Sequence, residues 1–314
     1  MTIAIGIDLG GSRIKVGLAG DDGIIAADTI SVDDATRLTP HLPRVEGTIK
    51  ALLADAKVAS CDGIAFGFPG IVRPDGRITK TYLKYDDMPD LDIASWAKHA
   101  FGVPVYVEND ANLACLGEWK HGAGRGFDDI VMLTLGTGIG SSAIVGGVPL
   151  RGTRGEAGNS GGHFVVNVGG RPAIHGLPGA AEAEASGWAL PDIIREHPGF
   201  ESSALARESR LDYATVIELA STGDAVARDV LKRSLDVWSA TAINMIHAFG
   251  PDCVIIGGGV ARAGSAVLEA IDEAVQTHAI APGRKIKVTA AQQPEYAALL
   301  GAHVAVSLAN THRA

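Results

Sequence analysis

Several large protein classes are excluded by what this chain lacks. It has 3 cysteines, Cys61, Cys115 and Cys253. They are odd in number and far apart, so no disulfide framework is expected, and each sits among apolar neighbours as a buried structural thiol does. No run of lysine or arginine occurs, and the formal net charge is −9. A phosphate-backbone partner needs a basic patch, so nucleic acid is not expected. No apolar stretch is long enough to span a bilayer, and MTIAIGIDLGG lacks the charged start and cleavage site of a secretion signal. No membrane partner and a cytoplasmic location follow as expectations.

Glycine is plentiful instead. The chain of 314 residues contains 40 glycines, about 13%, against a usual share of roughly 7%. With no collagen-like period, that excess points to tight turns and to places where backbone approaches a ligand. Hydrophobic content of 46% and charged content of 20% are those of a globular protein with a large core.

The first segments, TIAIGIDLG, SRIKVGLAG and IIAADTISV, read as a meander of antiparallel strands. A helix is expected around VEGTIKALLADAK, then a buried strand GIAFGFPG and a strand VPVYVEND with a polar end. ANLACLGEWKHG reads as a helix closed by Gly122. The plan then restarts: DIVMLTLGTGIGSSAIVGGVPL follows AIGIDLGGSRIKVGLAGDDGII at an offset of 126 residues, carrying Gly10 onto Gly136 and Leu9 onto Leu135. Two such copies suggest a duplicated α/β unit with a cleft between them. Later come a helical stretch broken near Thr222-Gly223, a buried strand PDCVIIGGGVA and a closing helix EYAALLGAHVAVSLA. The expected domains are residues 1–115 with 298–314, and residues 116–297.

Three glycine-rich turns follow apolar strands: Gly10-Gly11-Ser12, Gly136-Thr137-Gly138 and Gly257-Gly258-Gly259. Exposed backbone N–H groups with small side chains suit phosphate oxygens. None is a P-loop or a GxGxxG opening a crossover helix. Asp8, before the first turn, suits a hydrated Mg²⁺ held against phosphates, or it satisfies turn N–H groups. Asp110, past the VYVEN strand, is either a group aimed into a cleft or a helix N-cap; this segment alone does not separate the two.

Together IGIDLGGSRIKVGL, Gly67-Phe68-Pro69-Gly70, VENDANLACLGEW, LTLGTGIGSS, RGTRGEAG…GGH and VIIGGGVA resemble, in order, the ROK family of bacterial sugar kinases. The resemblance covers essentially the whole chain. It implies the actin–hexokinase (ribonuclease-H-like) fold, with two α/β domains and an interdomain cleft, and an ATP- and Mg²⁺-dependent kinase for a small-molecule sugar. It makes Asp110 the general base and Asp8 the Mg²⁺ residue, directly or through water. Gly10, Gly11, Ser12, Lys15, Gly136, Thr137 and Gly138 would hold the phosphates, with Gly258 and Gly259 near the nucleotide. Gly70, Asn109, Asp110, Asn159, His163 and Glu182 would face the sugar. A homodimer is the family's common state.

The segment GGRPAIHGLPGAAEAEASG, residues 169–187, departs from that family. Its usual CxCGxxGCxE pattern joins three thiolates to a histidine around a structural zinc. Here Ala173-Ile174-His175-Gly176-Leu177-Pro178-Gly179-Ala180-Ala181-Glu182 keeps the glycines and the glutamate and has no cysteine. His163 and His175 alone cannot complete a four-ligand structural site. A loop without zinc, held by Pro172, Pro178 and local packing, is expected; a site of His163, His175 and oxygen ligands is the alternative.

The family's AGExGH motif is altered too, to Ala157-Gly158-Asn159-Ser160-Gly161-Gly162-His163, and its Asn-Leu pair to Tyr82-Leu83. The acceptor is therefore expected to be a hexose, an aminohexose or a sugar-like cyclitol. A repressor is disfavoured because the first strand starts at Ile3, with no preceding DNA-binding module. A sugar-binding protein without activity is disfavoured by Asp8, Asp110 and the turns. Polyphosphate as donor is disfavoured by the lack of a basic track.

Overall fold

The computed structural model describes residues 2–82, 84–262 and 264–311. The chain forms two compact units. The first comprises residues 1–126, 149–157 and 292–314, and the second 127–148 and 158–291. Residues 116–126, 149–157 and 292–297, assigned to the second domain by sequence, cluster with the first unit.

The first unit is built on a five-stranded mixed sheet of order β3-β2-β1-β4-β7. The strands are β1 (Ala4–Leu9), β2 (Arg13–Gly20), β3 (Gly23–Ser31), β4 (Gly63–Phe68) and β7 (Val105–Asn109). A small hairpin, β5 (Ile71–Val72) with β6 (Ile78–Lys80), stands apart. The expected meander is present, since β1, β2 and β3 pair antiparallel. β1, β4 and β7 run parallel, so their carboxyl ends lie side by side. β4, GIAFGF, is buried at every residue, as a strand covered on both faces must be.

Helices α1 (Leu42–Asp55) and α2 (Ile93–Phe101) complete the core around Phe66, Trp96 and Ile49. Helices α3 (Asp110–His121) and α10 (Ala297–Thr311) pack closely on each other. A Cβ at Gly117 would strike the Ala297 carbonyl, and one at Gly301 the Leu113 carbonyl. Only glycine permits that backbone approach. Glu118 locks the pair: fully buried, it accepts hydrogen bonds from the N–H groups of Ala123 (2.8 Å), Gln292 (3.0 Å) and Gln293 (2.6 Å). Three backbone donors satisfy a carboxylate that would otherwise be costly to bury.

The second unit repeats the scheme. Its sheet has the order β10-β9-β8-β11-β12, formed by β8 (Ile130–Leu135), β9 (Ile139–Val145), β10 (Val148–Pro149), β11 (Cys253–Gly257) and β12 (Lys287–Ala290). The 126-residue offset lands β1 on β8 residue for residue. The register repeats as well, Asp8 facing Gly67 in the first sheet and Thr134 facing Gly257 in the second. Helices α4 (Ala181–Ala185), α5 (Leu190–Arg195), α6 (Tyr213–Thr222), α7 (Ala225–Phe249), α8 (Gly258–Ala261) and α9 (Ser265–His278) belong to this unit. The expected break near Thr222-Gly223 is real: Gly223 takes φ 108° as the C-cap of α6, and Asp224 caps the start of α7.

The loop of residues 169–179 closes on itself. Pro172 and Pro178 form an isolated bridge, and Ala173 N–H donates to Leu177 at 2.9 Å. What fixes it, unforeseen by sequence, is Glu184. This carboxylate, 1% exposed, accepts from the Arg171 N–H (2.6 Å) and Asn167 Nδ2 (3.1 Å) and pairs with Arg233. Among the described residues, no group of three His, Cys, Asp or Glu could hold a metal ion, and no helix is long and apolar enough to cross a membrane.

Candidate active site

In the first unit the parallel strands β1, β4 and β7 deliver three expected site segments to one sheet edge. Asp8 sits in β1 directly opposite Gly67 of β4, and Phe68 pairs with Asn109 of β7. A Cβ at Gly67 would lie 3.6 Å from Asp110 Cα and 3.7 Å from Asp8 Oδ1. The Asp8 carboxylate and the Asp110 backbone therefore flank one glycine.

Asn109, not Asp110, caps α3: its side-chain oxygen accepts from the Asn112 N–H at 3.1 Å. Asp110 is the first helical residue, half-buried, and accepts from the Ala111 N–H (2.8 Å) and Asn109 Nδ2 (3.1 Å). Desolvation, then the nearby charge of Asp8, pushes its pKa up to about 6. Burial likewise raises Asp8, against the attraction of Lys15. The Asp8 carboxylate accepts no hydrogen bond among the described residues. Two neighbouring aspartates, one with its pKa pushed up to about 6, form an arrangement suited to proton abstraction.

Gly70 serves the same edge through its carbonyl, which accepts from Asn109 Nδ2 at 3.0 Å. Lys15, paired with Asp8 across β1 and β2, donates its ammonium to the Glu295 carbonyl at 2.8 Å. Sequence reasoning missed Glu108. Only 7% exposed, it accepts from the Asn109 N–H (2.9 Å), Asn112 Nδ2 (2.9 Å) and Arg151 Nε (2.5 Å). The clue was a glutamate closing an otherwise apolar strand. Also missed were Lys84 and Tyr85, whose loop reaches the first glycine turn; Leu83 of the altered Tyr82-Leu83 pair lies outside the described residues.

In the first glycine turn the Gly10 N–H donates to the Asp8 carbonyl at 3.2 Å, and the Gly10 and Ser12 carbonyls are engaged. Tyr85 donates its hydroxyl to the Gly10 carbonyl at 2.6 Å, and Val32 N–H donates to Ser12. Among the described residues no acceptor faces the N–H groups of Gly11 and Ser12. Unpaired backbone donors at a turn are the elements of an anion cradle.

The second unit carries the other expected residues. There the Gly187 and Trp188 N–H groups donate to the Gly136 and Thr137 carbonyls at 2.9 and 3.0 Å. The N–H groups of Thr137 and Gly138 face no acceptor among the described residues. A Cβ at Gly138 would meet Glu182 Oε1 at 2.6 Å, so that carboxylate stands against the turn. His163 Nδ1 lies 3.8 Å from Glu182 Oε2, and the His163 and His175 rings meet edge-on at 4.8 Å. Burial, then His175, lowers the pKa of His163, and its buried Nδ1 has no hydrogen-bond partner among the described residues. Asn159 lies on the segment pinned to β9 by Ser141, which donates to the Gly158 carbonyl and accepts from the Gly161 N–H. Gly258, at φ 88°, packs against the backbone of Leu135, just before the second turn, while the Cβ position of Gly259 is open.

Two α/β units with the same strand order, each with a glycine turn after its first strand, define a protein of the actin–hexokinase class. Residues 4–309 match the ROK family, and the chain belongs to that family. It is 34% identical to a glucokinase of Thermotoga maritima over 95% of each chain. Its fold is similar to the ROK hexokinase from Thermus thermophilus, at 28% identity and a TM-score of 0.83, covering 99% of this chain and 100% of that one. It is also similar to a ROK family glucokinase from Streptomyces griseus in complex with glucose and AMPPNP: 27% identity, TM-score 0.74, with 98% and 99% of the two chains covered. The chain is an ATP-dependent sugar kinase.

Proposed function

We propose that this kinase transfers the γ-phosphoryl group of ATP to the primary 6-hydroxyl of a hexose or hexose-like sugar. The observation that carries the reading is Asp110, freed from helix capping by Asn109 and raised to about 6 beside Asp8. Such a carboxylate is ionised at neutral pH yet basic enough to take the hydroxyl proton as the oxygen attacks phosphorus. Phosphoryl transfer otherwise needs positioning and charge stabilisation. The open N–H groups of Gly11, Ser12, Thr137 and Gly138 are the donors assigned to the phosphates. Gly258 and Gly259 are assigned to the neighbourhood of the nucleotide, and Asn109, Gly70, Asn159, His163 and Glu182 to the sugar. Lys15, engaged with Glu295, acts by setting the potential at Asp8.

Mg²⁺ fits Asp8. Its carboxylate is half-buried and accepts no hydrogen bond among the described residues, and Mg²⁺ in nucleotide sites takes one or two carboxylates besides phosphate and water. When bound, the ion supplies neutralisation of phosphate charge.

Asp110→Asn tests the reading. Turnover is expected to fall by about 10²–10⁴-fold with the melting temperature nearly unchanged; near-normal kcat would remove Asp110 from its role. A second reading, an aminohexose or cyclitol acceptor, is favoured by Asn159-Ser160 where relatives of this type place a glutamate. A panel of hexoses, aminohexoses and cyclitols, assayed for ATP-dependent phosphorylation, decides between them. The proposal includes a cytoplasmic homodimer without a nucleic-acid partner, to be checked by sedimentation and by fractionation.

A further inference from the structure

One cation near the two carboxylates has no assigned role. Lys84 is half-buried, and a Cβ placed on Gly11 would lie 3.3 Å from its Cε and 3.4 Å from its Nζ. Its ammonium thus rests against the turn whose Gly11 and Ser12 amides are open. Its charge also reaches Asp110, drawing that pKa down against the larger upward push of burial and Asp8. Among the described residues Lys84 has no carboxylate ion-pair partner.

The backbone places it there at a cost. Tyr85 adopts φ 51°, a left-handed conformation unfavourable for a residue with a Cβ. Three contacts enforce it. The Tyr85 ring is fully buried, its N–H donates to the Ala35 carbonyl at 2.7 Å, and its hydroxyl donates to the Gly10 carbonyl at 2.6 Å. Strain held by surrounding structure is concentrated at functional sites. Here its consequence is a lysine fixed beside a phosphate-type turn.

We propose that Lys84 is a further catalytic residue whose ammonium binds the phosphoryl group during its transfer. The inference rests on the kinase reading above. In the step, the acceptor oxygen bonds to the γ-phosphorus, and the bond from that phosphorus to the β-phosphate bridging oxygen breaks. The acceptor proton goes to Asp110, and the electron pair leaves with the diphosphate. Negative charge stays on the non-bridging oxygens throughout, and Lys84 is the fixed positive group that meets it.

The test is steady-state kinetics of Lys84→Met and Lys84→Arg with glucose and ATP–Mg²⁺, together with calorimetric binding of AMPPNP. Met is expected to lower kcat by about 10²–10³-fold with the sugar KM nearly unchanged, and to weaken AMPPNP. Arg is expected to recover most of the loss. Thermal melting checks the fold, with Lys84→Gln as a second neutral variant. The inference is overturned if Met keeps kcat near wild type. It is equally overturned if Met only moves the acid limb of the pH profile upward, which would make Lys84 a screen for Asp110, or raises only the sugar KM. If the wild type phosphorylates none of the panel, the kinase reading fails separately, and unchanged AMPPNP affinity in Lys84→Met then overturns this inference on its own.

Discussion

The first and second copies of the strand–turn–strand unit share a backbone and differ in charge. In the first, Asp8 occupies the residue of β1 opposite Gly67; in the second, the matching residue of β8, opposite Gly257, is Thr134. The first sheet also has Asp110 at the end of its edge strand β7. The edge strand β12 ends at Ala290 and is followed by Ala291 and Gln292. Each turn has its carbonyls tied back, by the Tyr85 hydroxyl in one case and by the Gly187 and Trp188 amides in the other. Both copies carry a glycine turn with open amides, and the aspartate in the strand before the turn is present only in the first, Thr134 standing at the matching place in the second. The proposal therefore assigns proton chemistry to one unit, while both units have open turn amides.

Three experiments press on that asymmetry. The largest effect is expected from Asp8→Asn, a loss of turnover on the order of 10²-fold, set against Thr134→Val, within about threefold because no charge is removed. Comparable losses from the two, measured as kcat at saturating Mg²⁺, would break the comparison. Next is pH. Asp110 must be ionised to act as base, so kcat should fall about tenfold per unit as pH drops below about 6. Removing the Asp8 charge takes away an upward push on Asp110, so in Asp8→Asn the acid limb moves to lower pH; an unmoved limb would separate the two carboxylates. The smallest effect belongs to Tyr85→Phe, which deletes the bond to the Gly10 carbonyl. A cost of about 0.5–1.5 kcal/mol is expected in urea unfolding.

Much of this was legible in the sequence where the cause is local. The apolar run and glycine turn of β1 recur in β8 at a fixed offset, and the Thr222-Gly223-Asp224 stretch carries its own stop and start signals, so both were read correctly. The altered thiolate loop was legible as a departure, but its fastening by Glu184 was not. A glutamate in AEAEA reads as solvated helix surface, and only tertiary packing brings Arg171, Asn167 and Arg233 to it. Whether Asp110 caps the helix or points into a cleft was likewise open, because Asn109 and Asp110 are adjacent residues of nearly equal capping power and only the backbone angle shows which one caps. Lys84 and Tyr85 escaped notice entirely, since a left-handed tyrosine has no sequence signature.

The glycine contact between α3 and α10 bears on the order in which this molecule becomes competent during synthesis. Asp8, Lys84 and Asp110 all leave the ribosome early, yet the helix that begins at Asp110 has its backbone seated on residues 297–301. Until that late stretch arrives, Gly6 and Gly17 of the first sheet also lack the Leu299 side chain that covers them. A nascent chain bearing every proposed acid and base thus still waits for α10 before those groups stand on a firm floor.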